Sequence, residues 1–249
     1  MITPRPLIAG NWKMNGLTAS LDEARAVAAA VDEHAYGARI AICPPATLVH
    51  RMADQLAGTS VDVGGQDCRA EESGAFTGDV SAEMLADAGA TLVILGHSER
   101  RAGHGETDAL VAAKVEGAVR GGLEPIVCVG ETLAERQAGR TLEVVTGQVR
   151  GSLPALLSGR EFAVAYEPVW AIGSGLTPTL EQIEEVHVAI RATLRELFGE
   201  GGAKAPILYG GSVKPSNASE ILKVKEVGGA LVGGASLKAA DFLTIIEAA

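Results

Sequence analysis

The chain has 249 residues, 47% of them hydrophobic and only 4% aromatic, with a formal net charge of −10. That length suits one large domain or two small ones, and the acidic balance excludes non-specific attraction to nucleic acid or to anionic membranes. So apolar a composition is no signature of disorder, and no run approaches the ~20 apolar residues of a membrane span.

Three scattered cysteines, Cys43, Cys68 and Cys128, form no CxxC pair and no metal-ligand spacing. The expected home is a reducing cytoplasm. The N-terminal MITPRPLIAGNWK lacks the apolar core of a signal peptide. In chain order, strand-like runs stand at 6–10, 39–43, 61–65, 91–96, 124–130, 161–166, 206–210 and 229–233. Most are continuously apolar, as strands covered on both faces should be. Segments with helical spacing lie between them, at 18–35, 80–89, 110–122 and 179–199 among others. Start signals agree, with Pro178 between Thr177 and Thr179 where the longest helix begins. Regular alternation of strand and helix predicts a parallel sheet, and closing eight such units gives an α/β fold of the (β/α)8 barrel type. A doubly wound sheet would carry GxGxxG after the first strand, where this chain has NWKMNG. With no linker or low-complexity tract, residues 1–249 are expected to form one barrel domain.

Barrels of this kind place their chemistry at the C-terminal ends of the strands. There the sequence puts Asn11 and Lys13 after strand one, His97, Ser98 and Glu99 after strand four, and Glu167 after strand six. Gly210, Gly211 and Ser212 follow strand seven, and Gly233 and Gly234 follow strand eight. CPP, GGQD and VGE, after strands two, three and five, are less obviously reactive. Taken singly, each candidate has a structural reading. Lys13 reads as a solvated lysine, His97 as a hydrogen-bonded core histidine, Glu167 as half of an ion pair and the glycine pairs as turns. Four unlike polar groups at equivalent strand ends shift the balance towards one pocket. His34, His50, His104 and His187 lie in or beside helical patterns and are read as structural. Glu99 is expected to pair with the arginines beside it, and Cys128 to behave as a small buried hydrophobe.

Proline at 168 biases Glu167 towards extended backbone, which fixes where its carboxylate leaves the strand. One carboxylate with one imidazole and one ammonium fits proton abstraction next to a carbonyl: the acid takes the proton, and the cation and the ring stabilise the developing oxyanion. Glycines after strands seven and eight offer backbone N–H groups to a phosphate without a Cβ in the way, and Ser212 adds a hydroxyl. The substrate class inferred is a small phosphorylated carbonyl compound. A glycosidase would need a second facing acid, a zinc enzyme its ligand spacing and a serine hydrolase its GxSxG elbow; none stands out.

GNWKMNG, GAFTGDVSAEMLADAG, ILGHSERR, IVCVGE, AYEPVWAIGSG, YGGSV and ALVGGASLK, in this order over residues 8 to about 239, resemble the triosephosphate isomerase family. The resemblance implies interconversion of dihydroxyacetone phosphate and glyceraldehyde 3-phosphate without a cofactor or metal. It implies Glu167 as the base, His97 as the electrophile, and Lys13 beside Asn11 facing the enediolate. Gly173, Ser212, Gly233 and Gly234 match the phosphate-gripping positions. The family is itself the standard illustration of a glutamate base beside a histidine kept neutral by a helix N-terminus, and of a closing lid. The lid corresponds here to Pro168, Val169, Trp170, Ala171, Ile172, Gly173, Ser174 and Gly175. A homodimer is likewise implied, with Phe76, Thr77 and Gly78 in the loop that reaches the partner. Three positions depart from the family pattern: Ser174 for a threonine, Gly228 for an acidic residue, and His104 for an aromatic. The Gly228 departure puts bracing ahead of strand eight in question. Two other readings stay open at this point. One is a phosphate-binding lyase or aldolase using Lys13 as a Schiff base; the other is a barrel without catalysis.

Overall fold

The computed structural model describes residues 5–173 and 175–249. Strands β1 (Leu7–Asn11), β2 (Arg39–Cys43), β3 (Val61–Gly65), β4 (Leu92–Leu95), β5 (Glu124–Val129), β6 (Ala163–Tyr166), β7 (Ile207–Tyr209) and β8 (Gly229–Val232) pair in parallel. They close on themselves in sequence order, β8 pairing with β1. All eight match the expected runs to within two residues at either end, β1 reaching one residue further, to Asn11.

Helices cover the outside: α1 (Leu21–Glu33), α2 (Ala46–Gln55), α3 (Ala82–Asp87), α4 (Ser98–His104) and α5 (Asp108–Arg120) come first. After them come α6 (Leu133–Gln137), α7 (Thr141–Ser152), α8 (Leu180–Lys204), α9 (Ala218–Ile221) and α10 (Ala239–Glu247). The longest, α8, starts as the sequence signals: Thr179 accepts from the Gln182 N–H while the Gln182 side chain accepts from the Thr179 N–H. It is broken at Gly199, whose φ of 55° is left-handed. None of the described helices is long and apolar enough to cross a membrane.

Two apolar layers hold the barrel. A large shell lies between strands and helices, and a small core of Leu7, Ala9, Ala41, Cys43, Leu92, Ile94, Ile126, Cys128, Ala163, Ala165, Leu208 and Leu231 fills the interior. The interior set follows the two-residue pleat, so its parity can be extended to each strand's C-terminal end. From Leu7 and Ala9 it runs to Asn11, from Ala163 and Ala165 to Glu167, from Leu208 to Gly210 and from Leu231 to Gly233. Asn11, Glu167 and the glycines 210 and 233 thus continue inward-facing rows and emerge at one mouth, while His97 follows the turn at Gly96, where the β4 row ends. At the other mouth Arg39 crosses from β2 to Asp62 on β3 at 2.6 Å and to Glu124 on β5.

The bracing ahead of β8 survives the change at Gly228. A Cβ there would come within 3.0 Å of the Ile207 N. The acidic brace is Glu226, held at φ 64° by Arg191 (2.9 Å to its Oε2) and by His187 Nδ1, 3.2 Å from its carbonyl.

Candidate active site

At the C-terminal mouth lies a cavity of about 830 Å³ whose lining includes Asn11, Lys13, His97, Glu167, Gly173, Ser212, Gly233 and Gly234. The structure therefore brings together the acid, the ring, the cation and the glycine turns that the strand ends suggested.

Lys13 carries backbone strain. Its φ of 53° is left-handed, which in a non-glycine residue costs on the order of 1–3 kcal/mol. Two side chains hold it there. The Lys13 N–H donates to Asn11 Oδ1 at 3.0 Å, and Gln66 donates to the Lys13 carbonyl at 2.8 Å and to that of Cys43 at 2.9 Å. Gln66, at the end of β3, is a positioning group that the sequence reading passed over in GGQD. The Lys13 ammonium rests on Glu99 Oε1 at 2.5 Å.

That contact corrects the expectation for Glu99, which pairs with Lys13 and not with the arginines following it. Arg100 turns instead to Asp67 and Glu106, and Arg101 to Asp108. The reason is helical geometry: neighbours in sequence point to different sides of α4, and Glu99 faces the mouth.

His97 occupies the N-cap of α4, and its Nδ1 accepts from the Glu99 N–H at 3.2 Å. With Nδ1 turned to a backbone donor, the ring presents Nε2 to the carboxylate. That Nε2 lies 2.9 Å from Glu167 Oε1. Glu167 is 1% exposed. Its other donors are the Ser98 N–H at 2.9 Å and the Ser98 hydroxyl at 3.1 Å. Burial pushes the carboxyl up, but the His97 ring and the Ser98 donors outweigh it and hold the group below the usual carboxylate range. The buried acid is thus ionised and parked on the first turn of α4.

Glycines are required around it by contact as well as by conformation. A Cβ on Gly130 would fall 1.7 Å from the Glu167 carbonyl, and one on Gly210 would fall 2.9 Å from Glu167 Cγ. At the opposite wall the case differs: nothing lies within 4 Å of a Cβ on Gly234, so that space belongs to the cavity. The Gly233 carbonyl is bound by the Ser236 N–H at 2.8 Å and by its hydroxyl at 2.7 Å. In a trans peptide the next N–H points the opposite way, so the Gly234 N–H turns away from Ser236. Trp12 fixes this turn against β1 by donating to the Ser236 carbonyl at 3.1 Å. Lys214, which sequence reasoning missed, adds a second cation at the rim.

The segment expected to form a lid leaves β6 through Pro168 and a short 3-10 turn over Val169–Ala171. Ile172 and Gly173 reach the cavity, and Ser174 lies outside the described residues. Trp170 Nε1 donates to Glu131 Oε1 at 2.8 Å, joined by the Tyr166 hydroxyl and Arg136, both at 3.2 Å. Glu131 is the acid of the VGE stretch after β5, fully buried, and its bond to Trp170 was invisible without the fold. Phe76, Thr77 and Gly78, expected in a dimer loop, lie outside this cavity, in an exposed stretch where the Arg69 guanidinium covers the Phe76 ring at 3.8 Å. Cys128 is buried and its thiol is pushed well up by desolvation and by Glu167, which removes it as a nucleophile.

Comparison with known proteins agrees with this geometry. The family model described as triosephosphate isomerase matches residues 6–249. The chain is 64% identical over 246 residues to the triosephosphate isomerase of Caulobacter vibrioides, covering 99% of this chain and 97% of that one. It is 61% identical over 244 residues to that of Afipia carboxidovorans, covering 98% and 97%. Its fold is similar to the crystal structure of triosephosphate isomerase from Bartonella henselae, with a TM-score of 0.92, 50% identity and 98% of each chain covered.

Proposed function

The chain belongs to the triosephosphate isomerase family, and from that premise we propose how its residues interconvert dihydroxyacetone phosphate and D-glyceraldehyde 3-phosphate. Glu167 removes the proton from the carbon next to the carbonyl. Lys13 and the His97 Nε2–H share the negative charge that develops on the carbonyl oxygen, with Asn11 beside them. His97 gives its Nε2 proton to one oxygen of the enediolate and takes one back from the other. Glu167 then returns its proton to the adjacent carbon, and no redox cofactor is needed. The single observation carrying this reading is the convergence of Glu167, His97 and Lys13 on one cavity walled by the Gly233–Gly234 turn.

Before it can act, the carboxylate has to leave the Ser98 donors that now stabilise its anion. We assign that release to closure of residues 168–175, which would exclude water, strengthen the base and bring the Gly173 N–H to the phosphate held by Ser212, Gly233 and Gly234. A coupled assay on glyceraldehyde 3-phosphate tests the assignment. Glu167→Asp, whose carboxylate stands one methylene further from the substrate carbon, should lower kcat by about 10²-fold or more while KM changes little. A variant with wild-type kcat would overturn it.

The working unit proposed is a cytoplasmic homodimer of one-domain protomers, with Phe76, Thr77 and Gly78 beside the partner's Asn11 and Lys13. Exposed apolar side chains support it: Met14 is 95% and Leu17 80% exposed, next to the strained Lys13, and residues 71–79 all stand in solvent. Thr77→Arg should give a monomer with strongly reduced kcat. A monomeric variant with full kcat would remove the dimer from the mechanism.

A further inference from the structure

We propose that Arg101 is a positioning residue for the reaction: its guanidinium ties the peptide carrying His97 to the ends of β5 and α7 and so aims the imidazole. The inference rests on His97 acting as the electrophile. Arg101 lies one helical turn beyond His97, and its backbone N–H donates to the His97 carbonyl at 3.0 Å. The side chain, 15% exposed, makes four further bonds. Nε donates to the Gly96 carbonyl at 2.9 Å, and Nη2 to the Cys128 carbonyl at 3.1 Å and to Ser152 Oγ at 2.9 Å. Nη1 meets Asp108 Oδ1 at 2.6 Å, and the Ser152 hydroxyl donates to that same oxygen at 3.0 Å.

One of these acceptors is the carbonyl immediately preceding His97, and another belongs to the neighbouring barrel strand. The turn itself is shaped around the guanidinium: Gly96 has φ 65°, and a Cβ there would lie 2.9 Å from Val111 and 3.2 Å from Arg101 Nη2. Without the fork, two carbonyls lose a donor and the β4 end is free to move against β5. A lysine cannot substitute, because a single ammonium does not span acceptors on four elements. A displacement of about 1 Å in a reacting group can cost on the order of 10²-fold in rate. The phosphate-gripping turns after β7 and β8 do not touch this cluster, so binding should outlast the loss of chemistry. Arg101 also lines a separate cavity of about 250 Å³, which gives a small cation access to the position.

The test compares Arg101→Lys and Arg101→Gly with wild type, measuring kcat, KM and the 15N NMR signals of the His97 ring. Both variants should lose ten-fold or more in kcat with KM within three-fold, and their His97 signals should shift. Guanidinium ion at millimolar concentration should restore kcat several-fold in Arg101→Gly and leave wild type unchanged. If kcat stays within two-fold, if KM rises in step with the loss, or if the His97 signals stay in place, Arg101 does not position the ring. Should Arg101→Gly not fold, Ser152→Ala and Asp108→Asn slacken the fork without removing it, and each should lower kcat two- to five-fold; no change in either contradicts the proposal. A His97→Gln background separates this from the reading beneath it. There Arg101→Lys should cost no further kcat. If His97→Gln alone keeps full kcat, the role of His97 fails, and the ring signals in Arg101→Lys then decide whether the fork holds the ring.

Discussion

Buried ionisable side chains in this protein fall into those that meet the substrate cavity and those that do not, and burial acts on both by the same rule. Glu167 stays charged because three donors outweigh desolvation. His187, equally buried, has only the Glu226 carbonyl at Nδ1, and desolvation first, with the Arg191 charge adding to it, pushes the ring down to about 4. The sign of the effect on stability follows. Between pH 6.5 and about 4 the unfolded chain takes up a proton that the folded one refuses, so stability is full above that window and falls as pH drops through it. At pH 4.5 the loss assigned to His187 is ~2–3 kcal/mol. Urea unfolding at pH 7 and at pH 4.5, at one protein concentration, should show His187→Gln losing less on acidification than wild type by roughly that amount. Equal losses would mean that another group dominates.

Among the elements, the strands were legible because their inward parity and their polar ends lie in adjacent letters: AVAYE reads directly as a buried strand delivering an acid. The helices were legible through capping, as at Thr179 and Gln182. What could not be read were contacts between elements distant in sequence. Glu131 anchors Trp170 across 39 residues, Gln66 props Lys13 across 53, and Glu99 meets Lys13 across 86. Gln66 and Glu131 stand in ordinary-looking loops and Glu99 in the first turn of α4, and only closure of the barrel brings the partners together. The indole–carboxylate bond gives a prediction at this scale. A hydrogen bond to a charged group contributes roughly 1.5–3 kcal/mol, so Trp170→Phe should speed amide exchange across Val169–Gly173 about ten-fold or more and leave the barrel strands unaffected. Unchanged exchange would show that the Glu131 bond does not hold this segment in place.

For the molecule as a whole, a closed barrel turns eight separate strand ends into one concave mouth, and that conversion made a sequence-level inference about chemistry possible. Rigid layers of small and branched side chains fix where Asn11, Glu167, Gly210 and Gly233 emerge, while irregular backbone at Lys13 and residues 168–173 supplies the geometry that strands cannot. At the far mouth Arg39 ties β2 to β3 and β5 through Asp62 and Glu124. The central claim is that Glu167 is the group that moves the carbon-bound proton. Its most direct test is isomerisation in D2O followed by proton NMR. Wild type should place deuterium on the carbon-bound position of both triose phosphates, and Glu167→Gln should bind phosphate yet show neither isomerisation nor deuterium uptake. Deuterium entering at an undiminished rate in Glu167→Gln would contradict the account.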